Sequence, residues 1–284
     1  MRRPISSYNA VFCFVIVKLR RLARYFRWRF GGQRFALEFC GENLRYRVYK
    51  HQSVLIRRLG DTDLSLQHNK VENLKIAIRR LDGVIVRPGE TFSFWRLVGF
   101  PSRRKGYVRA IMLSNGRAVA GGGGGLCQIA NLLHWICLHS PLTVTQRQHH
   151  SFDPFPDDGR VVPFGSGATV FYNYVDYQFR NDTERVFQLR FWLDGKCING
   201  DLRVDEELDF KYHVFEREHR FVRVGDEFYR RNELWRQKYL KKGSGEVVEV
   251  EMLYRNNSLL RYVPEGAVVG GGVLFEEDNE SASV

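Results

Sequence analysis

The 284-residue sequence contains no CxxC pair, no apolar run near the roughly 20 residues that a membrane-spanning helix needs, and no acidic residue before position 31. Each shortage excludes something. The cysteines, Cys13, Cys40, Cys127, Cys137 and Cys197, are odd in number and irregularly spaced. They are expected neither to form a disulfide framework nor to hold zinc, and free thiols favour a reducing compartment. Ala10–Val17 follows Arg2 and Arg3 like the apolar core of a signal peptide, but Lys18-Leu19-Arg20-Arg21 offers no small-residue cleavage site. No Gly-Lys-Ser/Thr follows the glycine run at 121–125, which argues against a nucleotide loop. No helix–turn–helix, zinc-finger or RNA motif is recognisable, so nucleic acid is not an expected partner. No cofactor or metal is expected either.

What is present is a 44% hydrophobic chain of mixed charge, the composition of a folded globular protein. Its net charge is +12, of which residues 1–30 supply +8. Basicity of this kind belongs to an N-terminal arm. The arm is either a solvated extension or a surface for an anionic membrane, with Phe12, Phe14, Leu22, Tyr25, Phe26, Trp28 and Phe30 entering the interface. The expected location is cytoplasmic, peripheral on the inner face of the membrane.

The remaining chain divides into an expected core over 31–185, a β-rich extension over 186–275 and a loose acidic tail over 276–284. Strand-like pieces stand at Leu44–Tyr49 and Ser53–Ile56. Apolar positions at helical spacing predict a helix over Val71–Leu81, stopped by Asp82-Gly83. Strands are expected at Val84–Val86 and Glu90–Trp95. Five glycines then precede a helix over Leu126–Leu138, with a strand after it at Leu142–Thr145. Thr169–Phe179, rich in β-branched and aromatic residues, reads as a central strand with Tyr172, Tyr174 and Asp176 on one face. Beyond it come a hairpin around Asp194-Gly195, a second pair at Lys211–Phe215 and Arg220–Val224, a helix over Phe228–Leu240, and a strand over Val247–Tyr254 that ends at Asn256-Asn257. The fold class is α+β: a mostly antiparallel sheet, a central helix opened by a Gly-rich loop, and C-terminal hairpins.

The segment from Gly121 to Gln128 is the most specific feature. Five consecutive glycines suit backbone that passes close to another group or adopts positive φ. A thiol at the helix start that follows, Cys127, would be pushed toward thiolate by the free N–H groups there, and those groups could also hold an oxyanion. A nucleophile needs a base and an orienter. His149 and His150 follow within a loop's return, and Asp153, Asp176 and Asn173 are candidate orienters. The opposing readings are a small cysteine packed at a tight loop–helix junction and a histidine pair in an ordinary turn. His134 and His139 stand five apart, which does not put two ligands on one helix face, and Cys137 reads as core.

The stretches Arg80–Phe94, Gly123-Gly124-Gly125-Leu126-Cys127-Gln128, His150-Ser151-Phe152-Asp153, Pro163–Val170, Asn173-Tyr174, Asp176 and Phe179-Arg180-Asn181 resemble, in order and spacing, the motifs of the VanW family. The resemblance covers roughly residues 70–183, and the remainder looks like the single-domain members associated with vancomycin-type resistance clusters. It implies an accessory role in glycopeptide resistance or cell-envelope metabolism. The family's motif cysteine and histidine map onto Cys127 and His150, and invite comparison with cysteine peptidases and transpeptidases that act on peptidoglycan peptides. Relatives often carry Ser or Thr two or three residues after the Gln, where this chain has Ala130 and Asn131.

Two functions are therefore weighed. One is a cysteine-dependent amide hydrolase or acyl transferase acting on a cell-wall peptide or its precursor. Cys127 would be its nucleophile, His150 its base and Asp176 or Asp153 its orienter, with Gly123, Gly124, Gly125, Gln128, Ser151 and Asn173 contacting the substrate. The other is a non-catalytic module in which the glycine loop and the rings of Phe94, Trp95, Phe152, Phe155, Phe171 and Tyr172 cradle a wall peptide or glycan.

Overall fold

A computed structural model describes residues 10–56, 63–114, 117–149, 152–157, 159–242, 245–264 and 275–277. His150 and Ser151 lie outside the described residues, as do 278–284 of the acidic tail. In chain order the elements are α1 (Ala10–Phe30), β1 (Glu38–Phe39), β2 (Tyr46–Val54), α2 (Leu64–Ile78), β3 (Val84–Val86), β4 (Thr91–Ser93), α3 (Phe94–Val98), β5 (Arg109–Ser114), β6 (Arg117–Gly122), α4 (Cys127–Leu138), β7 (Thr143–Gln146), β8 (Phe152–Asp153), β9 (Gln178–Arg180), β10 (Phe187–Leu193), β11 (Cys197–Val204), β12 (Phe210–Val224), β13 (Glu227–Leu240), β14 (Val247–Leu260) and β15 (Phe275–Glu277). The class is α+β with mostly antiparallel sheets.

Two five-stranded sheets dominate. The first has the order β1-β3-β10-β11-β2 and is antiparallel throughout. The boundary expected near residue 185 falls inside this sheet's connectivity, because β10 and β11 complete it. The second has the order β15-β12-β13-β14-β8. Its long central strands are antiparallel, and its short edge strands β15 and β8 pair in parallel. A three-stranded sheet β4-β9-β7 and the β5–β6 hairpin stand apart from both.

The central helix α4 is apolar on nearly every face, and all residues from Leu132 to Leu138 are buried. A helix of that kind must be surrounded. It packs on β2 and β11, and Ile129, Leu133 and Ile136 join Leu74 and Leu81 from the α2 region and Leu189 and Leu202 from the first sheet. Phe92 and Phe179 stack within the same core at 4.7 Å.

Several sequence expectations change. Phe228–Leu240 is not a helix; it lies within β13. Flanked on both sides by β12 and β14, it gains two ladders of backbone hydrogen bonds, and pairs such as Arg236–Glu251 and Lys238–Glu249 use its charged residues across the sheet. Lys211–Phe215 and Arg220–Val224 are not partners but parts of one strand, β12, with a register irregularity between Arg217 and Arg220. β14, expected to end at Asn256-Asn257, runs through them to Leu260. Glu276 and Glu277, expected in a loose tail, pair in β15 with Val222 and Arg223. Thr169–Phe179 is not a long strand: Phe171–Val175 closes a tight turn, and only Gln178–Arg180 is extended within a sheet. Glu90–Trp95 is a three-residue strand that passes directly into α3, because Ser93 caps that helix by accepting from the Arg96 N–H.

Candidate functional site

The glycine run is explained first by packing. Gly121 and Gly122 end β6, and the chain then crosses the β5 backbone on its way to α4. A Cβ on Gly124 would lie 2.4 Å from the Ala110 carbonyl oxygen, and one on Gly125 would lie 2.0 Å from Lys70 Cγ. Gly123 and Gly125 also hold φ of 68° and 92°, a region that disfavours side chains. Asn73 of α2, fully buried, clamps the crossing. Its amide donates to the Gly124 and Val108 carbonyls and accepts from the Val108 N–H. Gly124 thus lets the loop backbone approach that of β5, while Gly123 and Gly125 make room for the side chains of Pro101 and Lys70.

Cys127 begins α4 as expected, but its surroundings do not favour the anion. Its residue is half-buried, and its thiol donates to the Val170 carbonyl at 3.6 Å. Burial pushes the Cys127 pKa up, with backbone N–H hydrogen bonding acting the other way. The helix start is real; desolvation outweighs it.

Gln128, expected to meet substrate, uses its amide N–H groups on Ser53 Oγ at 3.0 Å and the Val54 carbonyl at 2.8 Å, tying α4 to the end of β2. Asn131, noted only as a departure from the family pattern, accepts from the Ala168 N–H at 2.7 Å and so holds the chain that leads to Val170. Arg147 reaches the same stretch, donating to the Gly167 and Gly165 carbonyls. Its role was not legible beforehand, because a lone arginine beside two histidines carries no partner signal.

Asp176 and Asp153 do not converge on one point. Asp176 is fully buried and accepts from Ser93 Oγ at 2.6 Å, Gln178 Nε2 at 2.8 Å, and the Tyr177 and Trp95 N–H groups. Burial pushes its pKa up, against the Ser93 and Gln178 hydrogen bonds, the Trp95 N–H and the charge of Arg24. Asp153 is buried in the second sheet's edge, beside Arg230 at 3.3 Å and Arg160 at 3.7 Å, and accepts from the Tyr262 hydroxyl. Burial raises its pKa as well, although Arg160 and Arg230 pull it down. Both carboxylates thus have full sets of partners, none of them a described histidine.

Val170, bonded to the Cys127 thiol, leads into the turn over residues 171–175. Asn173 occupies φ 60°, is fully buried, and neither polar atom of its amide has a hydrogen-bond partner among the described residues. Tyr172 packs edge-on against Trp95 and Phe100, and its hydroxyl meets that of Tyr25 at 2.5 Å. Phe171 and Tyr174 stack on one another at 5.8 Å. Of the rings expected to cradle a ligand, Phe94 and Trp95 are core residues, whereas Phe171 and Tyr172 are partly exposed. Tyr174, expected beside Tyr172 on a strand face, joins them, as does Phe100, which was not singled out from the sequence. Helix α1 closes the turn from the other side: Arg21 donates to the Tyr172 carbonyl at 3.0 Å. Among the described residues, no cluster of three or more His, Cys, Asp or Glu could hold a metal ion.

The chain was compared with known proteins. The family model described as "VanW like protein" matches residues 69–203. A protein of Enterococcus faecalis, "Vancomycin B-type resistance protein VanW", is 33% identical over 247 residues, covering 87% of this chain and 90% of its own. "Uncharacterized protein YoaR" of Bacillus subtilis is 32% identical over 129 residues, 44% of this chain and 40% of its own. No solved structure matches the chain.

Proposed function

The chain belongs to the VanW family, and on that premise we propose that it is an accessory protein of vancomycin-type resistance that binds a cell-wall peptide or its precursor at the aromatic turn over residues 170–176. One observation carries this reading. The turn whose Val170 carbonyl accepts a hydrogen bond from the Cys127 thiol also presents the partly exposed rings of Phe171, Tyr172 and Tyr174, with Phe100 packed beside them. Partly exposed aromatic rings offer large, stiff, amphipathic surface for a peptide or sugar face. The thiol, protonated at rest, acts in this reading as a donor that fixes the turn. The link to resistance rests on the relative in Enterococcus faecalis.

The experiment is calorimetric titration of a soluble peptidoglycan stem peptide into the full chain, with mass spectrometry of the recovered peptide. Saturable binding that weakens about tenfold or more in Tyr172→Ala, with the peptide recovered intact, is the expected result. Turnover of the peptide that is lost in Cys127→Ser would replace this reading with the second one, a cysteine-dependent hydrolase or transferase with His150 as base. One observation favours that alternative: Cys127 stands at the start of α4, where free backbone N–H groups lower the cost of a thiolate.

A further inference from the structure

Helix α1 is turned the wrong way round for a helix on a soluble surface. Val17, Arg21, Arg24 and Trp28, at spacings of four, three and four, form the face against the body. Arg24 is 4% exposed and donates to Gln146 Oε1 at 2.6 Å, while Arg21 holds the Tyr172 carbonyl. Val15, Leu19, Leu22 and Phe26 repeat the same spacing two residues earlier, about 200° around the helix. That places them opposite the docked face, where Leu19 is 59% and Phe26 55% exposed. Phe12 and Phe30 extend the stripe at either end, with Phe30 74% exposed. The helix thus buries arginine and shows water an apolar stripe, so something of low polarity is missing from its outer side.

Charge identifies the cover. Lys18 and Arg29 flank the stripe on one side and Arg20 and Arg27 on the other, and the helix has no acidic residue. Two copies of this chain meeting stripe to stripe would bring eight cations together with nothing on either helix to neutralise them. Cations flanking an apolar stripe match a bilayer whose acyl region takes the stripe and whose anionic headgroups take the flanks. No helix among the described residues is long and apolar enough to cross a membrane, so the geometry calls for lying in the surface rather than spanning. We propose that α1 docks flat on an anionic lipid surface through Val15, Leu19, Leu22 and Phe26. The arginines of its inner face keep hold of the turn beside Cys127, which places that turn just beneath the bilayer.

The test uses the full chain in vesicle flotation, with phosphatidylcholine alone and with phosphatidylcholine mixed with phosphatidylglycerol. Binding to the mixed vesicles should exceed binding to phosphatidylcholine about tenfold or more and fall with added salt. Leu19→Gln with Phe26→Gln should remove it. Both side chains are exposed, so the fold should survive, and circular dichroism checks that it does. Equal binding to both vesicle types, no flotation, or flotation unchanged in the double variant would overturn the proposal. So would sedimentation showing a wild-type dimer that the double variant converts to monomer, because the stripe would then be a self-interface.

Discussion

The buried guanidinium of Arg24 lies 3.9 Å from the buried carboxylate of Asp176, and the pair joins the N-terminal helix to the turn beside Cys127. Burial acts on both in the discharging direction, lowering the Arg24 pKa and raising that of Asp176. Their mutual attraction and the four donors around Asp176 offset that cost. Removing Asp176 leaves the buried Arg24 without a counter-charge, whereas removing Arg24 leaves Asp176 its four donors.

The first prediction concerns this pair. Asp176→Ala should destabilise the protein by about 3 kcal/mol, because it strands Arg24 and releases the cap on α3. Arg24→Met should cost less, since Asp176 keeps its hydrogen bonds. The double variant should be more stable than the sum of the single effects implies, by about 1 kcal/mol. Urea denaturation of the three variants measures this; strict additivity would show that the two groups do not interact.

The glycine run makes a second prediction, with its own control. Gly124→Ala and Gly125→Ala should each cost at least about 2 kcal/mol, because the new Cβ meets the Ala110 carbonyl or Lys70. Gly122→Ala should change stability by no more than about 0.5 kcal/mol, since nothing lies within 4 Å of its Cβ position. Thermal denaturation distinguishes the cases. If all three variants were equally stable, close packing would not be the reason for the run.

His139 predicts a pH dependence. It is 5% exposed, stacks on Tyr49 at 3.9 Å, and has its pKa lowered to about 4, chiefly by burial. As pH falls below about 6.5 the unfolded chain gains a proton at this residue that the folded chain refuses. Stability contributed by neutral His139 is therefore full above that pH and is lost between about 6.5 and 4, to a total of roughly 3 kcal/mol. His139→Gln should flatten this part of the stability curve. The buried His134, its pKa also lowered well below the usual value, leaves a residual slope. An identical pH profile in the variant would count against the assignment.

The helices were legible where period and stop signals agreed. α4 stands where the apolar spacing put it, as does the hairpin at Asp194-Gly195, whose Gly195 takes φ 88°, while α2 overlaps the expected Val71–Leu81 but begins at Leu64, capped by Asp63, and ends at Ile78. Two failures have definite causes. In Phe228–Leu240, residues such as Leu234, Arg236 and Lys238 also suit helices, and only the strands on either side decide the outcome. In Thr169–Phe179, β propensity gave way to Asn173, whose φ of 60° turns the chain. At the site, the start of α4 at Cys127 was readable from the glycines. The upward push of burial on its thiol was not, because desolvation depends on neighbours such as Val170 that are distant in sequence. The partners of Asp176 and Asp153 were hidden for the same reason.

The account stands or falls on the state of the Cys127 thiol. Alkylation by a thiol-directed probe should be followed from pH 6 to 10 on wild type, on Cys127→Ala to identify its signal, and on His150→Ala. Cys137, fully buried with its pKa pushed up to about 12, should react slowly throughout. The binding reading predicts that Cys127 titrates above the roughly 8.5 of a free thiol and that His150→Ala leaves its profile unchanged. Titration below that value, moving upward when His150 is removed, would contradict it and make Cys127 a nucleophile.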